Sequence, residues 1–290
     1  MSNSLQTQKC PICHGTAKFY CLKCPAEYFR CPNCGTILQY PLPSVQEMAA
    51  YANQEYSDGG LYREYVQARD LKYATFRKRI HKIREYTEGN RLFDVGCSCG
   101  YLIDVALEED FDAYGAEFST VAIAAASEKA RARIFHVDVN QIAMIRQAPY
   151  DVVTAFDIIE HTLDPIQFLV NLKSILRKRG LLVITTPDTN HLLRFLMRQG
   201  WPMLQPFQHT ILLSRHSLRQ ALQVAGYGDI ELMPAYKVLT SDYLTQQIRL
   251  FNPLATRLYD LVSRAVPKQL RNKPISVNIG EIMALARLND

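Results

Sequence analysis

Apolar runs separated by short turns of small residues recur through the middle of the chain and predict alternating strands and helices. The clearest unit is the segment 91–107, RLFDVGCSCGYLIDVAL. Its mainly apolar run at 92–95 is typical of a buried strand, residues 96–100 are all small, and apolar residues return at helical spacing from Tyr101 onward. A strand, a tight turn and a helix in this order open a doubly wound α/β domain.

The same alternation continues along the chain. Further strands are predicted at 112–116, 133–137, 150–156, 181–186 and 230–239, with a last antiparallel strand within 275–288. Helices are predicted at 45–51, 61–86, 120–132, 163–179 and 217–225. An apolar face between 242 and 270 predicts a helical insertion at 240–272. The alternation of strands and helices predicts an α/β fold with a mainly parallel sheet.

Composition and charge add few constraints. The 290 residues are 48% hydrophobic and 21% charged, an ordinary globular mix, and the net charge of +5 does not by itself indicate nucleic-acid binding. The basic run at 77–84 is predicted to be a solvated helix face. No apolar run has the length of a membrane span, and MSNSLQTQKC lacks the apolar core of a secretory signal. We therefore expect a cytoplasmic protein without membrane contact, whose eight cysteines bind metal or remain free thiols.

Six of the eight cysteines lie within residues 10–34 as three C-x-x-C pairs. Such a pair supplies two thiolates from one tight turn, which suits tetrahedral zinc, and four ligands suffice. CPIC and CPNCG resemble the two knuckles of a zinc ribbon, so we predict a structural zinc ion bound by Cys10, Cys13, Cys31 and Cys34. Participation of Cys21 and Cys24 stays open. The module is too small to bury a core, so the metal would supply folding energy.

Three kinds of site compete for the turn at 96–100. A dinucleotide site requires G-x-G-x-x-G, and Ser98 and Tyr101 break that pattern. The turn does match G-x-S-x-G, the nucleophile elbow of a hydrolase, but the residues before it predict a cysteine module and a long helix instead of strands for an oxyanion loop. FDVGCSCGYLIDVA closely resembles the first motif of class I S-adenosylmethionine-dependent methyltransferases, with Ser98 where glycine is commonest.

This resemblance implies a Rossmann-like sheet of seven strands in the order 3-2-1-4-5-7-6. It also implies three segments along the chain: a zinc-ribbon module at 1–43, a helical lid and linker at 44–90, and the methyltransferase domain at 91–290. The insertion at 240–272 would form a lid, a wall of the acceptor site or a surface for oligomer formation. The fold class that we expect is therefore α/β with a small N-terminal metal module.

The resemblance further implies a pocket for S-adenosylmethionine at the carboxyl edge of the sheet. Glu117 lies about 20 residues beyond the glycines, where a carboxylate can accept hydrogen bonds from a ribose diol. The residues implied around the cofactor are Asp94, Gly96, Cys97, Gly100, Glu117, Asp138, Val139 and Asp157, with lid contacts from Tyr56 and Tyr65. Asp94 and the turn would hold the amino-acid end, Glu117 the ribose, and Asp138 with the Val139 backbone the adenine. Asp138 as a helix cap and the tyrosines as packing residues are the alternatives.

Two histidines are candidates for a proton acceptor. His161 ends the segment DIIEH, which resembles the fourth motif of small-molecule methyltransferases, including ubiquinone-type O-methyltransferases. His209 begins a segment similar to the family's H-x-x-x-F-S. A neutral imidazole near the transferred methyl could take a proton from a hydroxyl or an acidic C–H. Either histidine could instead brace a loop, His161 together with Glu160.

We therefore expect methyl transfer from S-adenosylmethionine to a small-molecule acceptor. The chain contains neither the Asn/Asp-Pro-Pro-aromatic loop used on base amino groups nor the Pro-Cys nucleophile of cytosine C5 chemistry at this position. The ribbon resemblance indicates a sugar or a nucleotide-linked sugar, methylated on oxygen or carbon. The alternative is a zinc-ribbon protein that binds or modifies RNA, for which salt-sensitive RNA retention would be the sign.

Overall fold

Two β-sheets organise the chain in this computed structural model, which describes residues 7–58, 66–145, 147–243 and 273–289. In chain order the strands are β1 (Thr7–Lys9), β2 (Thr16–Lys23), β3 (Ala26–Arg30), β4 (Ile37–Tyr40), β5 (Arg91–Val95), β6 (Asp112–Glu117), β7 (Ile134–His136), β8 (Tyr150–Phe156), β9 (Leu176–Pro187), β10 (Ile211–Leu212), β11 (Tyr227–Leu239) and β12 (Ile275–Leu288). The described α-helices are α1 (Val45–Asp58), α2 (Arg69–Arg84), α3 (Tyr101–Glu108), α4 (Thr120–Ala125), α5 (Glu128–Arg131), α6 (Pro165–Lys173), α7 (Leu192–Met197) and α8 (Arg215–Val224).

Seven strands form the larger sheet in the spatial order β11-β12-β9-β8-β5-β6-β7. The strands from β5 to β9 pair in parallel, whereas β12 pairs antiparallel with both β9 and β11. The strand order reverses between β5 and β8, and in open α/β sheets ligands bind in the crevice beyond the carboxyl ends of the strands at such a point. A ligand site is therefore expected among the residues that follow β5, β6 and β8.

Side chains of the larger sheet alternate between its two faces because successive strand residues point to opposite sides. Leu92 packs with Leu102 on the face that α2 and α3 cover. The next residue, Phe93, packs on the opposite face with Leu169 and Leu222 of α6 and α8. Because both faces are covered, the central parallel strands bury every second residue on each side and read as continuous apolar runs.

The smaller sheet joins the N-terminal module to a distant segment of the chain. The strands β1 to β4 form an antiparallel meander, and β10 adds a fifth strand beside β4. In this pairing Ile211 lies opposite Leu38 and Leu212 lies opposite Ile37. The module therefore shares a sheet with residues that lie more than 170 positions later in the chain.

The second cysteine turn of the module docks against the same part of the larger domain. The Ser214 hydroxyl, which also caps α8, donates to the Cys34 carbonyl at 2.6 Å. The Thr189 hydroxyl donates to the Gly35 carbonyl at 2.8 Å. Both hydroxyls are buried, so these bonds satisfy carbonyl groups that water does not reach.

Three helices differ from the lengths predicted from sequence: α1, predicted at 45–51, continues to Asp58, and two others are shorter than predicted. The helix predicted at 163–179 ends at Lys173, and Leu176 already belongs to β9, where it pairs with the first residue of β8. The helix predicted at 120–132 is divided into α4 and α5, because Ser127 caps the second helix. In both places a long-range strand contact or a local cap overrides helical periodicity.

Parts of the predicted lid and insertion lie outside the described residues. These parts are Tyr65 and residues 244–272, which make up most of the insertion predicted at 240–272. Tyr56 belongs to α1, but its side chain also lies outside the described part of the chain. Among the helices that the structure does describe, none is long and apolar enough to cross a lipid bilayer.

Candidate functional site

The turn between β5 and α3 lies at the carboxyl edge of the larger sheet, and the N–H groups of Gly96 and Cys97 anchor it to the Ala116 carbonyl of β6. Gly96 and Gly100 have φ values of +72° and +69°, in the left-handed region that favours glycine. A side chain at Gly96 would collide with Ile158, and a Cβ atom at Gly100 would lie 2.7 Å from the Cβ of Ala130. Both positions therefore require glycine for conformation and for space.

Ser98 stands where the commonest form of the motif has glycine, and its φ of +49° is also left-handed. Its N–H donates to Oε2 of Glu117 at 2.9 Å. Its hydroxyl donates to Sγ of Cys99 at 3.9 Å. A nucleophile elbow requires a base within hydrogen-bond reach of the serine, and no described histidine hydrogen-bonds to Ser98. The hydrolase interpretation of this turn therefore has no support in the structure.

Glu117 ends β6 next to the glycine turn and is 4% exposed. Its carboxylate accepts the backbone N–H groups of Ser98, Phe118 and Ser119 at 2.8–2.9 Å. Burial raises the pKa of this carboxyl, and the three amides oppose that shift. Since a carboxylate offers about four acceptor positions, one position remains for the hydroxyl of a ligand.

Asp94 lies in β5, two residues before the turn, and is buried. Its Oδ1 accepts a hydrogen bond from the Thr154 hydroxyl at 2.6 Å. Burial raises the pKa of Asp94 to about 7, although the Thr154 bond and the positive charge of Arg79 act in the opposite direction. A cation that binds beside Asp94, such as the ammonium of an amino acid, would favour the ionised carboxylate.

The other predicted cofactor residues lie near the same edge. Asp138 follows β7 and is exposed, and its backbone carbonyl accepts the N–H of Gln141 at 2.9 Å. Val139 begins a short 3-10 helix and packs partly buried against the core. Cys97 is buried, and burial raises the pKa of its thiol well above the usual value. A protonated, buried thiol is a packing group and not a nucleophile.

Asp157 follows β8 directly, with a φ of +59°, and belongs to a network of buried charges. Its Oδ1 accepts the Thr185 hydroxyl at 2.9 Å, and its Oδ2 lies 3.1 Å from Nζ of Lys237. Lys237 also contacts Glu281, which lies 3.6 Å from the guanidinium of Arg79. Burial disfavours the charge of Asp157, but Lys237 and Arg79 outweigh it and hold the pKa of this carboxyl well below its usual range.

Sequence patterns did not identify three members of this network. Lys237 and Glu281 come from β11 and β12, and the only available signal was a charge within otherwise apolar strands. Arg79 belongs to the basic run 77–84, which was predicted to be a solvated helix face. That prediction is wrong for Arg79, which is 4% exposed and stacks over Phe156, with 4.6 Å between its guanidinium carbon and the ring centroid.

The two candidate histidines, distant in sequence, lie in contact. The centroids of the His161 and His209 rings are 4.9 Å apart. Thr210 holds the two segments together, because its N–H donates to the Glu160 carbonyl at 2.9 Å and its hydroxyl to the Thr162 carbonyl at 2.7 Å. The structure therefore brings both residues to the region beyond β8.

Each imidazole has one nitrogen against a backbone carbonyl. His161 Nδ1 lies 3.0 Å from the Gln208 oxygen, and His209 Nδ1 lies 2.7 Å from the Met203 oxygen. Because a carbonyl only accepts, each Nδ1 carries the hydrogen and each Nε2 keeps a lone pair. Burial lowers the pKa of both rings, that of His209 to about 3. Both imidazoles are therefore neutral at pH 7.

The predicted zinc ligands form a compact cluster of sulphur atoms. Their four Sγ atoms lie within 4.8 Å of one another, and the two shortest separations are 3.4 Å and 3.5 Å. Four thiolates bound to one zinc ion at about 2.3 Å would be roughly 3.8 Å apart, so the spacing fits a tetrahedral site. Cys21 and Cys24 lie outside this cluster, which consists of Cys10, Cys13, Cys31 and Cys34.

Comparison with known proteins matches residues 62–232 to a family described as a methyltransferase domain. The ubiquinone biosynthesis O-methyltransferase of Rhodopseudomonas palustris (strain BisA53) is 31% identical over 105 residues, which cover 35% of this chain and 42% of the relative. A probable S-adenosylmethionine-dependent methyltransferase of Mycolicibacterium smegmatis is 29% identical over 143 residues, which cover 48% of this chain and 52% of the relative. The matches thus span about half or less of these relatives.

Solved structures share the fold at low sequence identity. An S-adenosylmethionine-dependent methyltransferase from Archaeoglobus fulgidus has a TM-score of 0.52 and 16% identity, over 77% of this chain and 99% of its own. The plantazolicin methyltransferase BamL, solved with a substrate analogue and SAH, has a TM-score of 0.52 and 15% identity, over 85% of this chain and 95% of its own. Because the family match covers more than half of the chain and includes both the glycine turn and Glu117, the chain belongs to the methyltransferase-domain family and has the class I S-adenosylmethionine-dependent methyltransferase fold.

Proposed function

We propose that this protein transfers the methyl group of S-adenosylmethionine to a small-molecule acceptor. The observation that carries the proposal is the hydrogen bond from the Ser98 N–H to Glu117. This bond holds the glycine turn and the acid at the end of β6 next to each other at the carboxyl edge of the sheet. A nucleoside cofactor needs both parts, which are space beside a backbone turn and an acceptor for its ribose hydroxyls.

The cofactor side of the proposed site consists of groups that bind and orient. Glu117 accepts one ribose hydroxyl at the acceptor position that its three backbone bonds leave. Asp94 faces the amino-acid end, and Asp138 with the Val139 backbone contacts the adenine. Gly96, Cys97 and Gly100 shape the turn, and the lid contacts predicted for Tyr56 and Tyr65 lie outside the described residues. When bound, the cofactor supplies an electrophilic methyl on its sulfonium. The protein then needs to hold the acceptor in line with that methyl, and orientation of this kind accelerates reactions strongly.

The acceptor side lies beyond β8, where Asp157 and the histidine pair are found. His161 and His209 are both neutral, and each keeps the lone pair of Nε2. We propose that one of the two histidines, when it has no metal ion bound, accepts the proton that the acceptor loses as the bond between the acceptor and the methyl group forms. The family resemblance implies a place for Asp157 around the cofactor; we propose instead that its carboxylate, held ionised by Lys237, orients the acceptor.

A structural zinc ion completes the proposal. Cys10, Cys13, Cys31 and Cys34 would hold it with four protein ligands and no open position, so it would stabilise the N-terminal module and take no part in methyl transfer. The hydrogen bond between Cys10 and Cys34 lowers the pKa of the first thiol and raises that of the second, as in a pair that shares one proton, and a bound metal ion would deprotonate all four thiols.

The most specific part of the proposal is the chemical class of the molecule that accepts the methyl group. The ribbon resemblance supports a sugar or nucleotide-linked sugar, whereas relatives named ubiquinone biosynthesis O-methyltransferases support a hydroxyl on an aromatic ring. A hydroxyl acceptor is common to both, so we propose O-methylation. Incubation with methyl-labelled cofactor and a panel of nucleotide sugars, phenols and RNA would distinguish these acceptors, and labelled RNA would instead favour the RNA-modifying alternative.

Calorimetry with S-adenosylhomocysteine tests the cofactor site directly. Glu117→Gln removes the charge that accepts the ribose hydroxyl, and we expect affinity to fall by about 10- to 150-fold, because a hydrogen bond to a charged group contributes about 1.5–3 kcal/mol. Glu128→Gln, an exposed acid on α5, is the matched control and should bind like the wild type. If the folded wild type does not bind, or Glu117→Gln binds equally well, the proposed function is wrong.

A further inference from the structure

A second group of metal-ligating side chains lies on the acceptor side, apart from the cysteines. Glu160 and His161 belong to the 3-10 turn that follows β8, and His209 precedes β10. One ligand atom from each of the three residues lies within 4.8 Å of those of the other two. Glu160 is 1% exposed and His209 is 7% exposed, whereas His161 is only partly buried, so the group is largely enclosed but reaches the surface at His161.

The hydrogen bonds of the two imidazoles are those of metal ligands. Histidines that bind metals almost always donate their second N–H to a carboxylate, a water or a backbone carbonyl, which fixes the ring and its tautomer. His161 donates to the Gln208 carbonyl and His209 to the Met203 carbonyl. The lone pair of each Nε2 thus remains for a Lewis acid.

The charge balance around Glu160 also favours a cation. Its Oε2 accepts the Thr186 hydroxyl at 2.9 Å, but Glu160 forms no ion pair with any described residue. Its negative neighbours Asp157 and Glu281 already share Lys237. A buried carboxylate without a counter-charge is costly, and an ion between Glu160 and the two imidazoles would supply that charge.

We propose that Glu160, His161 and His209 bind a divalent transition-metal ion. Two imidazoles and one carboxylate are the ligand set typical of sites that keep open positions for an external oxygen ligand. Ligand atoms about 2.1 Å from an ion lie roughly 3 to 3.5 Å apart, so the three side chains need move only on the order of 1 Å. The binding itself does not depend on the proposed methyl transfer.

A bound ion would change how the acceptor loses its proton. An ion and a proton compete for the same Nε2 lone pairs, so the metal-bound histidines would not act as bases. A hydroxyl oxygen bound to the ion would instead become more acidic, because a metal ion stabilises the oxyanion. This consequence rests on the proposed function, whereas the test below measures binding alone.

The test uses the full-length protein with its cysteine site filled with zinc, verified as one zinc per chain by metal analysis. Co²⁺ is then titrated, with calorimetry for stoichiometry and visible spectroscopy for ligand type. We expect one further ion per chain, with d–d bands of nitrogen and oxygen ligation, no intense thiolate-to-cobalt charge transfer and no zinc release. Uptake of no further ion, or uptake only with zinc release and charge transfer, would overturn the proposal.

Variants connect the second ion to the three residues. His161→Asn and His209→Asn keep a donor for the Gln208 and Met203 carbonyls but remove Nε2, and each should weaken Co²⁺ binding at least tenfold. His216→Asn changes an exposed histidine on α8 and should not alter Co²⁺ binding.

Thermal unfolding of each variant excludes misfolding. Glu160→Gln, which keeps the bond to Thr186, supplies an independent third test. Wild-type affinity in all three ligand variants would assign the ion elsewhere. Binding of S-adenosylhomocysteine by the same samples separates this outcome from failure of the proposed function.

Discussion

The proposed cofactor side and the proposed acceptor side of the site are built in opposite ways. On the cofactor side, a side-chain acid is held by backbone amides: Glu117 accepts N–H groups from its own loop and from the glycine turn 19 residues earlier. On the proposed acceptor side, side chains hold one another across the fold: Asp157, directly after β8, shares Lys237 of β11 with Glu281 of β12. The first kind of site tolerates loss of distant elements, whereas the second depends on all of them.

Zinc removal should have the largest effect, and it should affect the acceptor side much more than the cofactor side. The reason for its size is that apparent binding energies of structural zinc sites are about 10–16 kcal/mol. A strong chelator, or Cys31→Ser, should abolish hydrogen-exchange protection in β1 to β4 and in β10, and acceptor methylation should be lost with it. S-adenosylhomocysteine binding should persist, since the hydrogen bonds described for Glu117 come from its own loop and the glycine turn and not from the smaller sheet.

Cys24→Ser is the matched control for zinc removal, because Cys24 is exposed and outside the sulphur cluster. It should retain the protection of β10 and full methylation. Parallel loss of cofactor binding and of methylation in Cys31→Ser would contradict the independence of the two sides.

Loss of Lys237 should have the next largest effect. Lys237→Met leaves the buried Glu281 and the partly exposed Asp157 without their shared cation. Removal of one partner from a fully buried ion pair typically costs about 3–5 kcal/mol, and the exposure of Asp157 places the expected cost at the lower end of that range. Urea unfolding should show a loss of that order. Lys178→Met, an exposed lysine on β9, should change stability by less than about 0.5 kcal/mol. Adding Glu281→Gln to Lys237→Met should recover part of the loss, and an equal or greater loss would argue against the network.

The pH dependence of cofactor binding should follow the protonation of the Asp94 carboxyl. Its pKa of about 7 means that the free protein is half protonated there, while the ammonium of the cofactor requires the ionised form. Affinity for S-adenosylhomocysteine should therefore fall by about tenfold between pH 8 and pH 6. Asp94→Asn should bind more weakly and without this slope. A slope that survives in Asp94→Asn would assign it to another group.

The same shift in the pKa of Asp94 affects folding with a defined sign. The folded-state pKa lies above the unfolded value of about 3.8, so between these values the folded chain binds more protons than the unfolded chain. The contribution of Asp94 to stability is therefore present at low pH and lost as pH rises towards 7. Comparison of Asp94→Asn with the wild type by urea unfolding at pH 5 and pH 8 isolates this contribution.

Ser98→Gly should have the smallest effect. Glycine relieves the left-handed conformation at this position, but it also makes the unfolded chain more flexible, and each term is about 0.5–1 kcal/mol. Stability should therefore change by less than about 1 kcal/mol. Cofactor affinity should not change, since the N–H that binds Glu117 remains. Ser98→Val should lower both, because a β-branched residue disfavours positive φ. Equal behaviour of both variants would argue against strain at this turn.

The sequence predicted the parts of the molecule that depend on local pattern. Apolar periodicity indicated the strands of the larger sheet, and the spacing of the cysteines indicated the sulphur cluster. Glu117 was found from its distance to the glycine turn. Contacts between distant segments left no local signal: Arg79 resembled its solvated neighbours because its buried partner, Glu281, lies 202 positions later, and the helix predicted at 163–179 ended early because Leu176 pairs with a neighbouring strand.

Because β10 pairs with β4, the N-terminal module cannot be removed without exposing a strand of the larger domain. A shortened chain that starts at residue 44 would lose the partner strand of Ile211 and Leu212, and it would uncover apolar surface around the segment that carries His209. An edge of that kind recruits other strands and promotes aggregation. A chimaera that exchanges N-terminal modules between related enzymes should therefore move residues 188–214 together with the cysteine module.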